Sequence, residues 1–209
     1  MKKRLFIIGA GGLGRGLESC LDRIPEDQRD WQIIGFIDES PIALDGFQSD
    51  YKIVGDIDNY NFTENDWAII AIGHSDTRKD IYRRLKGRVK FYTYIDPSVM
   101  ISKYSKIGEG CIILAGSFVN NNATVGKFST ILENSTIGHD SVLGDFCSLM
   151  ANVNIGGGCN IGEDTFIGTN ATVIPRRSIA ERVTIGSGSV VVRNVKESCT
   201  VFGNPAKRI

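Results

Sequence analysis

Several things are scarce in this 209-residue chain, and each scarcity excludes something. Histidine occurs twice, at His74 and His139, so a histidine-built metal cluster has too few ligands. The five cysteines contain no CxxC pair and are odd in number, which removes a disulfide framework and points to a reducing, cytoplasmic setting. Net charge is absent: 24 Lys and Arg balance 24 Asp and Glu, a poor basis for gripping nucleic acid through its phosphates. No apolar run approaches the ~20 residues a membrane helix needs. The opening Met-Lys-Lys-Arg-Leu-Phe-Ile-Ile-Gly reads as a first strand rather than a secretory segment. Prolines number only five. Glycine is the exception, at 24 residues, and with 42% hydrophobic residues the chain has ample material for a core.

Much of that glycine is periodic. Every sixth residue from Ile95 to Val191 is aliphatic, seventeen positions without a slip. Two residues before each aliphatic position, from Ser105 to Ala171, the chain is small or β-branched. Glycine often follows the aliphatic residue, as at Gly108, Gly126, Gly138, Gly144, Gly156, Gly162, Gly168 and Gly186. A period of six fits neither a helix nor a coiled coil. It fits three short strands per coil of a parallel β-helix, a repeat that buries its apolar face only by stacking. The 97 residues make between five and six coils, a prism roughly 25 Å tall at ~4.8 Å per rung. Gly and Asn, including Asn121, Asn122, Asn134 and Asn170, are expected to supply left-handed backbone at the corners.

The first part of the chain alternates strands and helices. Strands are expected at residues 4–9, 32–37, 67–72 and 89–93, with helices to about Ile24 and over 76–86, which implies a parallel sheet. Gly9-x-Gly11-x-x-Gly14 follows the first strand and opens a helix, and Asp38-Glu39 ends the second strand 24 positions beyond Gly14. That context suggests backbone N–H groups facing a phosphate-bearing ligand, with Asp38 or Glu39 reaching a ribose or base. About 90 residues suit one mononucleotide-binding half, so a nucleotide-linked substrate is favoured over NAD. The expected division is therefore a Rossmann-like domain over 1–93 and a β-helix over 94–209.

Cys111, Cys147 and Cys159 occupy the small inward series and read as core residues. Cys20 and Cys199 have no histidine near them in sequence, so thiol catalysis is disfavoured. His139 lies two residues past a core position and should sit on an outward corner, where Asp140 could orient it as a general base. His74 follows the glycine after the third strand and is assigned to the nucleotide loop. Residues 95–174 hold three Lys/Arg and seven Asp/Glu, whereas 175–209 hold seven and two. The basic end formed by Arg176, Arg177, Arg182, Arg193, Lys196, Lys207 and Arg208 would draw a phosphate-rich ligand such as coenzyme A.

The chain as a whole resembles the bacterial hexapeptide-repeat sugar acyltransferases, the group of UDP-4-amino-sugar N-acetyltransferases and sialic acid O-acetyltransferases. The resemblance is carried by Gly-Ala-Gly-Gly-Leu-Gly-Arg at 9–15, Gly-Phe-Ile-Asp-Glu at 35–39 and Ala-Ile-Gly-His-Ser-Asp-Thr-Arg-Lys at 71–79. It extends to Ile-Gly-His-Asp-Ser-Val-Leu-Gly-Asp at 137–145 and Phe-Gly-Asn-Pro-Ala-Lys-Arg-Ile at 202–209. It implies a left-handed β-helix, a homotrimer with active sites between neighbouring prisms, and acetyl-CoA as co-substrate with no metal. By the same resemblance His139 and Asp140 are catalytic, and Gly9, Gly11, Gly12, Gly14, Asp38, Glu39, Gly73 and His74 bind the nucleotide sugar. Ser148, Gly157, Thr169, Ser187, Arg193 and Lys207 are expected at acetyl-CoA. The chain departs from the family pattern at Leu13, Gly138 and Ser148, where relatives often carry His, an acidic residue and a second His. The implied activity is acetyl transfer to a 4-amino sugar on a nucleotide. O-acetylation of sialic acid or another polysaccharide sugar is the alternative within the family, and a non-catalytic trimeric nucleotide-binding protein the alternative outside it.

Overall fold

A computed structural model describes residues 2–209. The chain divides into two compact units, the first ending at Tyr92 and the second running from Thr93 to Ile209. The first is a five-stranded parallel sheet built from β1 (Lys3–Ile8), β2 (Trp31–Ile37), β3 (Ile53–Gly55), β4 (Asp66–Ile70) and β5 (Lys90–Phe91) in the order β3-β2-β1-β4-β5. Helix α1 (Gly12–Asp22) follows β1, and α2 (Ser75–Leu85) follows β4. The apolar runs in β1, β2 and β4 are buried because helices and loops cover both sheet faces. The short edge strand β3 falls outside the strands expected from sequence. Val54 is exposed and its two neighbours only half-buried, and there is no apolar run long enough to announce it.

The strand order reverses between β1 and β4, where Gly9 and Ile72 meet at the carboxyl ends of the strands. Gly14 lets α1 pass close there, because a Cβ at that position would collide with the Gly9 carbonyl oxygen. Gly9 itself has φ +97°, backbone that an L side chain resists.

The second unit is a parallel β-solenoid that matches the expected β-helix. Its seventeen two-residue strands, from Tyr94–Ile95 to Val190–Val191, each end on one of the seventeen aliphatic repeat positions. Strands pair in parallel with those eighteen residues away, forming three sheets. From Ile113 to Val191 every aliphatic position is buried, whereas Ile95, Ile101 and Ile107 at the first coil are partly open. Each fully buried aliphatic side chain is worth roughly 1.5–3 kcal/mol over exposure, so the stack's stability is spread along its length.

The small series lies inside as expected, and its hydroxyls do more than fill space. Ser129, Ser135 and Ser141 donate to the carbonyls of Gly144, Met150 and Gly156. Each also accepts the backbone N–H eighteen residues on, at Cys147, Val153 and Cys159. Buried hydroxyls thus tie successive coils together without leaving polar groups unmet.

The corners differ from expectation in two respects. The glycines after the aliphatic positions do not have positive φ. They are small because the next coil's backbone presses on them: a Cβ on Gly138 would lie 2.5 Å from the Gly157 nitrogen. Left-handed backbone falls two residues later, where glycine does supply it at Gly110, Gly116, Gly158 and Gly188 and Asn at Asn122, Asn134, Asn152 and Asn170, while Asp140, Phe128, Phe146 and Arg176 are among the others that adopt it. Asn121, expected among these, is not one of them.

The last coil is shortened. Val201 pairs with Ile185 and Val195 bridges Ile179, each sixteen residues apart rather than eighteen, while the Asn194 side chain accepts the Ser178 N–H. Lys207–Arg208 then turns back antiparallel against Val201–Phe202.

Candidate active site

The solenoid stacks equivalent corners every eighteen residues. One ladder of corners carries Asn121-Asn122, His139-Asp140, Gly157-Gly158 and Pro175-Arg176 in consecutive coils, followed by Arg193. Backbone bonds fix the rungs: Asp140 N–H donates to the Asn121 carbonyl at 2.9 Å, Gly158 N–H to the His139 carbonyl at 2.8 Å and Arg176 N–H to the Gly157 carbonyl at 2.9 Å.

His139 is outward, with 64% of its side chain exposed. Its Nδ1 is 2.7 Å from Oδ2 of Asp140. A carboxylate only accepts, so Nδ1 carries the proton and Nε2 is left with a lone pair. The second carboxylate oxygen, Oδ1, accepts from the Asn122 amide at 3.0 Å. These hydrogen bonds, chiefly that from His139 and then that from Asn122, hold the Asp140 carboxyl below its ordinary range, so it stays anionic. The imidazole lies over Gly157, where a Cβ would sit 2.5 Å from Nε2. The flanking N–H groups of Gly156 and Gly158 bond to Val173 and His139, which leaves the Gly157 N–H outside the rung-to-rung ladder. An oriented base, an anion behind it and a spare backbone donor stand together on one corner.

The other residues expected at acetyl-CoA are distributed. Gly157 and Arg193 share the His139 corner. Thr169 and Ser187 stack on the corner one strand earlier in each coil. Ser148 is only 2% exposed, closed in on a sheet face. Arg193 and Lys207 line a cavity of about 630 Å³ at the shortened last coil, together with Lys196, Cys199 and Arg208. Arg208 pairs with Glu197 there. Three further cations against one acid fit the phosphates of coenzyme A.

In the first unit a cleft of about 240 Å³ opens at the strand reversal, lined by Gly9, Asp38, Glu39, Thr77, Asp80 and Arg84 among others. Gly11, Gly12 and Gly73 have nothing within 4 Å of where a Cβ would be, so ligand atoms can come close to their backbone. Asp38 is already engaged by its own surroundings: Oδ2 accepts the Ala10 N–H at 2.8 Å and Oδ1 the Ser40 N–H at 2.9 Å. It holds the glycine loop in shape. Glu39 pairs with Arg84 at 2.8 Å, and Arg84 also binds Asp58. Those two carboxylates raise the guanidinium's hold on its proton. His74 is exposed at the N-cap of α2 and makes no side-chain cap bond. Sequence reasoning missed Arg78, which is 1% exposed and donates to the carbonyls of Ile72 and Gly73, bracing the loop under His74. Among the described residues no group of three His, Cys, Asp or Glu side chains could hold a metal, and no helix is long and apolar enough to cross a membrane.

Residues 4–85 match the PglD N-terminal domain family, and residues 81–188, half of the chain, match the GMPPB C-terminal domain family. The chain belongs to the hexapeptide-repeat sugar acyltransferases. A curated member of the family, UDP-N-acetylbacillosamine N-acetyltransferase of Bacillus subtilis, is 28% identical over 118 residues. That match covers 54% of this chain and 52% of the relative, so the chain spans about half the length of the curated sugar acyltransferase it matches. Two solved acyltransferases agree over far more. A His-to-Asn variant of perosamine N-acetyltransferase from Caulobacter crescentus, in complex with CoA and GDP-perosamine, superposes with a TM-score of 0.88 at 26% identity, covering 99% of this chain and 96% of that one. The acetyltransferase domain of PglB from Neisseria gonorrhoeae, in complex with acetyl coenzyme A, gives a TM-score of 0.88 at 25% identity over the whole of both chains.

Proposed function

We propose that the protein is an acetyl-CoA-dependent acetyltransferase that N-acetylates a 4-amino sugar carried on a nucleotide, by direct transfer with His139 as general base. The observation that carries this reading is the corner itself: His139 has Nδ1 on Asp140 and an available Nε2 over Gly157. The ligands held by the solved relatives, CoA with GDP-perosamine in one and acetyl coenzyme A in the other, support the choice of substrates.

In this reading His139 Nε2 takes a proton from the sugar's amino group as its nitrogen attacks the thioester carbonyl. The C–N bond forms and the C–S bond breaks, and His139 passes its proton to the departing thiolate. Asp140 balances the imidazolium formed midway. The Gly157 N–H faces the oxygen that gains charge, a donor already in place before reaction. Arg193 and Lys207 take the phosphates of the acyl donor at the last coil, with Thr169 and Ser187 along its path. The nucleotide of the sugar lies on the first unit, against Gly9, Gly11, Gly12, Gly14, Glu39, Gly73 and His74. The working form is a homotrimer, to be measured by sedimentation equilibrium.

The deciding experiment is thiol release from acetyl-CoA with a panel of UDP-, GDP-, dTDP- and CMP-linked amino and hydroxy sugars. Turnover with an amino sugar, lost by orders of magnitude in His139→Ala at unchanged acetyl-CoA affinity, supports the proposal. Turnover only with hydroxy sugars would make it an O-acetyltransferase. No thiol release with any sugar, or an acetyl group trapped on a cysteine, would overturn direct transfer.

A further inference from the structure

Three consecutive coils contribute to the His139 corner, and the reading above uses only two. Asn122 belongs to the coil before. It occupies the same backbone slot as Asp140, with φ 58° at both residues, so the side chains leave their coils in parallel, one rung apart. Its amide Nδ2 is 3.0 Å from Asp140 Oδ1, while Oδ2 of the same carboxylate meets His139 Nδ1 at 2.7 Å. The donor at Asn122 must be the amide nitrogen, because an ionised carboxylate has no proton to offer.

This matters because the pair it supports is open to water. His139 is 64% and Asp140 58% exposed, and the terminal torsion of a carboxylate is broad and nearly two-fold. On the following coil the equivalent slot is Gly158, which has no side chain to help. Asn122 is thus the side chain that pins one Asp140 oxygen and so aims the other at the imidazole. The residue type suits the place: Asn tolerates left-handed backbone, and its short amide spans one rung of ~4.8 Å.

We infer that Asn122 is a positioning residue for the general base, acting through Asp140 to fix the His139 ring and its Nδ1–H tautomer. The inference rests on the proposed role of His139, and its test separates the two. Asn122→Gly keeps the backbone slot and deletes the amide. Asn122→Asp keeps the shape and replaces the donor with an acceptor. Both variants should lower kcat about tenfold with KM for either substrate within twofold, and in an Asp140→Ala background Asn122→Gly should change kcat less than twofold. With only two histidines, the ¹⁵N resonances of the His139 ring can be read directly after removing His74. They should report the Nδ1–H tautomer in the parent and move toward an exchanging mixture in both variants. Parent-like kcat with parent-like ring shifts in Asn122→Gly would overturn the inference, as would an equal loss in the Asp140→Ala background. Intact turnover in His139→Ala would instead defeat the general-base reading, and the ring spectra of the parent and the Asn122 variants, which keep His139, would still test the Asn122 contact.

Discussion

Replacing Gly157 with alanine would put a Cβ 2.5 Å from His139 Nε2 and 2.8 Å from both Cδ2 and Cε1. Ordinary contacts between such atoms lie near ~3.5 Å, so the imidazole must retreat by about 1 Å. It has room to do so, since most of the ring faces solvent. An off-rotamer swing costs of order 0.5–1.5 kcal/mol. Gly157 does not need positive φ, so the loss of glycine's unfolded-state freedom returns roughly 0.4–1 kcal/mol. Net stability should therefore change by less than about 1 kcal/mol. Catalysis should not be spared: a misplacement of ~1 Å costs on the order of 10²-fold, equivalent to about 2.7 kcal/mol of barrier. The Gly157 N–H survives the substitution, so the loss isolates the seat of the histidine from the backbone donor. The assay is thiol release at saturating substrates, with thermal melting alongside. A Gly157→Ala protein that melts like the parent and turns over within threefold of it would refute the claim that His139 works from this corner.

Other expectations follow from the same geometry. Gly14→Ala drives a Cβ into the Gly9 carbonyl and should destabilise the first unit by roughly 1–3 kcal/mol, measured as a lowered denaturant midpoint with weakened nucleotide-sugar binding. Arg193→Ser with Lys207→Ser should raise KM for acetyl-CoA about tenfold with kcat within twofold; an unchanged KM and salt response would remove the basic cavity from the donor site. Tyr51 donates to Asp22, and burial followed by that neighbouring charge pushes its phenol up to about 12. Below pH ~10 both folded and unfolded chains keep the proton and its contribution is whole. As pH rises from about 10 to about 12 the unfolded chain releases it first, so stability falls. Tyr51→Phe should flatten that part of the alkaline denaturation curve, and an identical curve would count against the shift.

The solenoid was legible because its period is enforced residue by residue: one aliphatic side chain per hexad has to face inward, and any slip would show. The His139–Asp140 pair was legible from adjacency alone. Asn122 was within reach but needed a further step, since three hexads per coil place residue i beside residue i+18 and 122 plus one coil is 140. Asp38 illustrates the opposite limit. A carboxylate at a strand end after a glycine loop can serve a ribose, its own backbone or both, and the sequence does not reveal the Ala10 and Ser40 N–H groups that Asp38 already accepts. Arg78 was hidden because a polar helix suggests a solvated face, whereas this guanidinium turns inward to satisfy loop carbonyls.

The shortened last coil has a consequence beyond the active site. A stack of parallel rungs presents unpaired backbone at its end, and another chain's first rung could in principle continue it without limit, as in a fibre. Here the Lys207–Arg208 strand runs the wrong way for such growth, lies against Val201–Phe202 and sets two cations on the edge. In the sheet it ends, the edge offered to another chain is therefore an antiparallel, charged strand rather than one more bare parallel rung.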